Sequence, residues 1–336
     1  MTAGGARGTG EDEVISRFLR PIADAPEARG LLDDAALLSP PEGCDLVLTK
    51  DALVAGVHFF PDDSPASIAR KALRVNLSDL AAKGARPLGA LLALALPHND
   101  VGREAWMTAF AAALGADARA FACPLLGGDT VSTAGPLTLS VTAIGCVPKG
   151  SFVPRTGAAP GQAIVVSGTI GDAALGLALR QNPERSAFAA LSSDLRAHLL
   201  DRYLHPQPRL ALAPALRAHA AAAMDVSDGL VGDLAKMLAV SGCGGHIEAH
   251  RVPLSAAAAA AARAEPALAR DALTGGDDYE IVACVPHERL HAFIAVAASA
   301  GVPLAVIGET RAEGGLDVRD AGGHLLVLER TSYSHF

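Results

Sequence analysis

Residues 163–180, AIVVSGTIGDAALGLALR, decide the fold class. The run 163–167 is apolar without polar alternation and rich in β-branched residues, which predicts a buried strand. Gly168 and Gly171 interrupt it, and 173–180, built largely of alanine and leucine, predicts a helix. A strand, a glycine turn and a helix start resemble a phosphate-binding turn, but the spacing fits neither GxGxxG nor GxxxxGK[ST], so the turn alone assigns no ligand.

The same alternation of elements extends outward. A strand over 45–49 delivers Lys50 and Asp51 to its exit; Ser64 and Pro65 open a helix that ends near Gly84, with Asn76, Asp79 and Lys83 on one face. Strands are expected over 88–96, 137–147 and 280–285, and helices over 100–114, 230–240, from about 254, and through His291. Strands and helices interleave throughout, so the expected class is α/β (α+β), with mixed sheets and flanking helices. A Pro-, Gly- and Arg-containing stretch near 147–161 suggests a crossing between two domains, 11–150 and 151–336, after a loose tail at 1–10.

Composition narrows the function classes. The net charge of −8 and the lack of a basic block argue against the phosphate-backbone electrostatics of nucleic-acid binding. Five cysteines without CxxC spacing suggest neither a disulfide framework nor a zinc site, and a reducing cytoplasm is expected. The first ten residues lack the apolar centre of a signal peptide. The polyalanine run 256–262 is too short and too weakly apolar to span a bilayer, so no membrane partner is expected.

The main chemical clue is the placement of acids at element boundaries: Asp33, Asp34, Asp51, Asp79, Asp129, Asp225, Asp228, Asp277 and Asp278. Carboxylates converging without bases repel unless a metal neutralises them, and Mg²⁺ prefers such oxygen ligands. Each Asp also has a plainer reading as a helix cap or turn residue. Asp79 fits that reading least, because it falls mid-helix, where Asp has poor propensity.

Read together, NLSDLAAKGA (76–85), GGDT (127–130), DVSDGL (225–230) and GGDDYE (275–280) resemble the thiamine-monophosphate kinases, within the ATP-binding superfamily of aminoimidazole-ribonucleotide synthetase. DDAALL (33–38), LVAG (53–56) followed by His58-Phe59, RTGA (155–158) and Tyr333 extend the likeness over nearly the whole chain. The resemblance implies a two-domain aminoimidazole-ribonucleotide synthetase-like fold and a homodimer formed through the first domain. It implies ATP-dependent, Mg²⁺-dependent phosphorylation of thiamine monophosphate, with several metal ions.

By the same resemblance, Asp34, Thr49, Asp51, Asp79, Asp129, Asp225 and Asp228 match metal ligands, of which Asp51, Asp129 and Asp228 carry the catalytic role. Gly128, Asp129, Arg155 and Ser227 match ATP contacts, and His58, Asp277 and Tyr333 match substrate contacts. Two positions depart from the pattern: Leu32 stands where a glycine is usual, and Lys50 where a threonine is usual beside Asp51. An ammonium cannot ligate Mg²⁺. Lys50 is therefore expected either to swing away or to replace part of one metal's role against phosphate. Another ATP-dependent synthetase of the superfamily and a non-catalytic nucleotide or thiamine-phosphate sensor remain the alternative readings.

Overall fold

The computed structural model describes residues 10–98, 102–328 and 331–332. The chain divides into two compact units, Met1–Leu80 with Pro87–Cys146, and Ala81–Arg86 with Val147–Phe336.

The first unit contains α1 (Glu11–Val14), β1 (Cys44–Val54), α2 (Pro65–Ala82, whose last two residues fall in the second unit), β2 (Arg86–Pro97, whose first residue does), α3 (Arg103–Ala120), β3 (Leu125–Thr133) and β4 (Thr138–Pro148, whose last two residues do). Its four-stranded sheet has the order β1-β4-β2-β3, with β2 and β3 parallel. Helix α2 lies along β1, and Arg74 on α2 makes a two-pronged ion pair with the buried Asp117 on α3 (2.6 and 3.0 Å), which ties the helices together.

Strand β1 shows the period of two expected where one face is covered. Val47 and Leu53 are buried, whereas Leu46 and Leu48 on the opposite face are 42 % and 64 % exposed. Lys50 belongs to that outward row, so its side chain leaves the strand on the face opposite Thr49 and Asp51. The alternation favours the first of the two expectations for Lys50, that it points away from Asp51.

The second unit is built around a six-stranded mixed sheet, β10-β7-β9-β5-β8-β6. Its strands are β5 (Gln162–Ser167), β6 (Ala222–Asp225), β7 (Gly244–Glu248), β8 (Ile281–Pro286), β9 (Leu304–Arg311) and β10 (Gly315–Arg319). Only β10 and β7 pair in parallel; β5 pairs antiparallel with both β8 and β9. Its helices are α4 (Asp172–Gln181), α5 (Ser186–Ala189), α6 (Ser193–Leu204), α7 (Ala213–His219), α8 (Leu230–Val240), α9 (Ala256–Ala264), α10 (Ala267–Thr274) and α11 (His287–Ser299).

The unalternating run in β5 has a direct cause. Ile164 and Val166 enter one core with Met224, Leu234 and Ile307, while Ala163 and Val165 enter another with Leu216, Val285 and Phe293. Both faces of the strand are covered, so both parities must be apolar. A third core joins α4, α5, α6, α9 and α10 through Leu175, Phe188, Leu199, Ala258 and Leu268.

Strand β3 is not among the strands expected from the sequence, because two glycines and an aspartate conceal its pattern. The polyalanine forms α9, capped by Ser255 Oγ accepting from Ala258 N (3.0 Å). Among the described residues, no helix is long and apolar enough to cross a membrane.

Helices α4 and α6 approach so closely that a Cβ on Gly176 would collide with the Leu199 carbonyl oxygen. Gly→Ala in an exposed helix stabilises by about 1 kcal/mol. Here overpacking, at about 1–3 kcal/mol, outweighs that gain, and Gly176→Ala is expected to destabilise the protein by about 1–2 kcal/mol. Denaturant titration checks the sign.

Candidate active site

In the first unit the acidic site is a strand–helix contact. Asp51 and Thr49 sit on the same face of β1, where Asp51 N donates to Asn76 Oδ1 (3.1 Å) and Thr49 Oγ1 donates to Asp79 Oδ2. Asn76 is fully buried and fixed by its Nδ2 bond to the Ala72 carbonyl (3.0 Å). The i, i+3 spacing of Asn76 and Asp79 therefore carries the site to β1. Helix α2 ends before Lys83, whose ammonium donates instead to the Ala223 carbonyl (2.7 Å).

Burial, and then the neighbouring Asp79 charge, push the Asp51 carboxyl up from 3.8 to about 6. Two carboxylates in one partly dry contact, beside a threonine hydroxyl, form an all-oxygen donor set that a small divalent cation would relieve. The residues present fit Mg²⁺ in this respect. Among the described residues, however, no three His, Cys, Asp or Glu side chains gather closely enough to hold a metal ion together.

The remaining expected groups of this unit lie apart from that pair. Asp34 is exposed in a bend, its amide donating to Asp33 Oδ1 (2.8 Å). The missing glycine does not strain this loop: Leu32 has φ −110°, open to any residue, while the left-handed positions are Arg29, Gly30 and Leu31. Asp129 is exposed on β3, the sheet edge opposite β1. At about 4.8 Å per strand step, the two edges stand roughly 14 Å apart. Gly128 precedes it at φ +154°, and any Cβ there would collide with the Leu92 carbonyl, which explains why this strand carries glycine. His58 Nδ1 accepts from Val54 N (3.0 Å), which leaves the neutral ring's proton on Nε2.

In the second unit, β6 ends in the buried Asp225 and runs through Val226, Ser227 and Asp228 into α8. Neither Asp225 nor Asp228 is the cap of that helix. Asp233, in its first turn, accepts from Ser227 N (2.9 Å) and Asp228 N (2.8 Å) through one oxygen. Lys236 bridges Asp228 (2.6 Å) and Asp233 (3.1 Å). Burial pushes the Asp233 carboxyl up, although the Asp228 amide and Lys236 oppose it. Burial acts to lower Lys236, but its bonds to Asp228 and Asp233 outweigh that and raise it.

Sequence reasoning missed Asp233 and Lys236. The available signal was an acid one turn after the SDG loop and a lysine three residues later, both on one helix face.

Arg155 is exposed, with its carbonyl accepting from Ser241 Oγ (3.3 Å). The glycine turn of α4 is closed to an external anion: Gly171 N (2.8 Å) and Ala173 N (3.4 Å) donate to Asp278. Asp278 is buried, and that burial pushes its carboxyl well above the ordinary range. Asp277, the expected substrate contact, is half-buried with left-handed φ (+73°), as is Tyr279 (+51°). Such backbone costs on the order of 1–3 kcal/mol per residue and persists only where its surroundings enforce it. Tyr333 lies outside the described residues.

Two family models, described as AIR synthase related protein, N-terminal domain and C-terminal domain, match residues 32–147 and 159–321. The chain is 45 % identical over 304 residues to the thiamine-monophosphate kinase of Caulobacter vibrioides, covering 89 % of this chain and 83 % of that one. It is 41 % identical over 331 residues to the thiamine-monophosphate kinase of Escherichia coli K12, covering 97 % and 98 %.

The chain belongs to the thiamine-monophosphate kinase family.

The crystal structure of the family's Stenotrophomonas maltophilia member has a TM-score of 0.80 at 39 % identity, covering 94 % of this chain and 96 % of that one. AaThiL complexed with AMPPCP and TMP has a TM-score of 0.76 at 27 % identity over the full length of both chains. The two-domain aminoimidazole-ribonucleotide synthetase-like fold of the family is therefore the fold of this chain.

The raised Asp51 carboxyl fixes the sign of a pH effect. A folded pKa of about 6 against an unfolded value near 3.8 means that Asp51's contribution to stability is full below about pH 4 and is lost as pH rises through about 6. Asp51→Asn stays neutral throughout. In metal-free buffer it is expected to exceed the parent's stability by about 2–3 kcal/mol at pH 7.5, with the difference vanishing near pH 4. Thermal melts at both pH values in the presence of a chelator test this.

Proposed function

We infer that this family member transfers the γ-phosphoryl group of ATP to the phosphate of thiamine monophosphate, releasing thiamine diphosphate and ADP in the cytoplasm. The observation that carries the reading is the near-full-length likeness to kinases of that substrate, 41 % over 331 residues. The AaThiL complex with AMPPCP and TMP supports both ligands.

The attacking group is the substrate's own terminal phosphate, already largely ionised at neutral pH because its second pKa is about 6. A strong general base is unnecessary, which suits a site built from carboxylates. The chain's task is to orient two polyanions in line. Mg²⁺, when bound, neutralises phosphate charge and templates the oxygens.

Thr49, Asp51 and Asp79, with Asp34 and Asp129, would hold Mg²⁺ ions on the first unit, and Asp225 and Asp228 would do so on the second. Asp51, Asp129 and Asp228 carry the catalytic share. Gly128, Asp129, Arg155 and Ser227 hold ATP, Arg155 offering a planar donor fork to phosphate. His58, Asp277 and Tyr333 hold thiamine monophosphate, with the His58 Nε2 proton as donor. Transfer is direct, without a phosphoenzyme, and inverts configuration at phosphorus.

A homodimer through the first unit, assigned to 11–150, completes the reading. Leu46 and Leu48 form an uncovered apolar row on the edge strand β1. Asp51 and Asp129 lie on opposite edges of one sheet, so a second copy would be needed to bring those two edges together. Leu48→Glu is expected to convert dimer to monomer by light scattering and to lower activity with it.

The deciding assay supplies ATP, Mg²⁺ and thiamine monophosphate and follows both products by chromatography. Equal amounts of thiamine diphosphate and ADP are expected, none after chelation, and a drop in kcat on the order of 10²-fold in Asp228→Asn. Binding of thiamine monophosphate without turnover would replace the kinase by a sensor. Retention of configuration at phosphorus would sink direct transfer.

A further inference from the structure

Residues 275–280 form a two-sided strip between α10 and β8. Its backbone is pinned to the preceding acidic loop: Asp277 N donates to the Ser227 carbonyl, Tyr279 N to the Val226 carbonyl, and Val226 N to the Glu280 carbonyl, each at 2.8 Å. Asp278 and Glu280 point inward. Asp278 accepts from the α4 amides, whereas Glu280, with no exposed surface, accepts from Ser167 Oγ (2.7 Å), Arg202 Nη2 (2.9 Å) and Arg209 Nε (2.6 Å). Asp277 and Tyr279 take the other side, where Tyr279 Oη donates to Asp277 Oδ1 at 3.4 Å.

A loop that only had to turn would carry glycine at a left-handed position; a tyrosine there is a conformational outlier held in place by its neighbours. A tyrosine whose hydroxyl meets a carboxylate supplies an aromatic ring and a negative charge side by side, the two groups that a cationic heteroaromatic ring binds. We propose that Tyr279 is a second substrate contact, sharing the thiazolium ring of thiamine monophosphate with Asp277, and that Asp278 and Glu280 are positioning residues that hold both. The proposal rests on the reading of Asp277 as a substrate contact.

The decisive variant is Tyr279→Gly. Glycine relieves the left-handed backbone, so the melting temperature is expected to stay level or rise. KM for thiamine monophosphate, and its Kd by calorimetry, should increase about 10-fold, while KM for ATP changes less than about twofold. Tyr279→Phe keeps the ring and should remain within about threefold of the parent. Asp278→Ala should raise the same KM without touching that for ATP, and Asp278→Asn, which still accepts an α4 amide bond, should restore most of the loss.

Unchanged KM and Kd in Tyr279→Gly, with Asp277→Ala impaired, would overturn the role of Tyr279 and leave the substrate reading intact. Unchanged values in Asp277→Ala as well would overturn the substrate reading itself. A rise in both KM values in the Asp278 variants would reduce Asp278 to a structural residue.

Discussion

A carboxylate with no exposed surface must be paired or protonated, and Glu280 meets that demand with two guanidinium groups and a hydroxyl. The partners come from far apart in sequence: Ser167 at the end of β5, Arg202 in α6 and Arg209 after it. Burial acts to lower Arg209, but its bonds to Glu280 outweigh that and hold it charged. Ser167 Oγ also accepts from Ile281 N (2.8 Å), so one cluster fixes where β5 ends and where β8 begins. Removing one partner of such a group costs about 3–5 kcal/mol, because the other charge stays buried. The conformation of residues 275–280 depends on this cluster, and the order of the central strands is consistent with it.

The acidic residues have divided labour that their chemistry alone does not announce. Asp233, Asp278 and Glu280 serve backbone amides and basic side chains, while the Asp79 charge adds to the cost of ionising Asp51 across the β1–α2 contact. Only the second pattern leaves charge for a ligand to compensate. A similar distinction separates Lys236, which bridges two carboxylates, from Lys50, which strand alternation sends to the outer face.

Much of this was legible in the sequence where one rule acts alone. The helix beginning at Pro65 reads directly from its cap and apolar spacing, and the covered faces of β5 read from AIVV. What escaped reading depends on distant partners. Strand β3 is hidden by glycines that exist because β2 passes close by, and the α4 turn looks like an anion site because its anion, Asp278, is more than a hundred residues away. The motifs picked out Asp51, Asp79 and Asp228, but Asp51 lies within β1 and Asp79 within α2 rather than at their ends. Nothing local distinguished Asp233, which accepts from the loop amides, from Asp228, which does not.

The position of β5 has a consequence for the protein's synthesis. Both strands that flank it, β8 and β9, lie more than a hundred residues downstream. At roughly 10 residues per second, β5 waits on the order of 10 s after translation with two apolar faces and two unpaired edges. Long-range pairing of this kind is slow to form and exposed to aggregation. The newborn chain is therefore most vulnerable while residues 168–280 are being made, and a holdase that shields β5 over that interval would raise the folded yield without altering the finished fold.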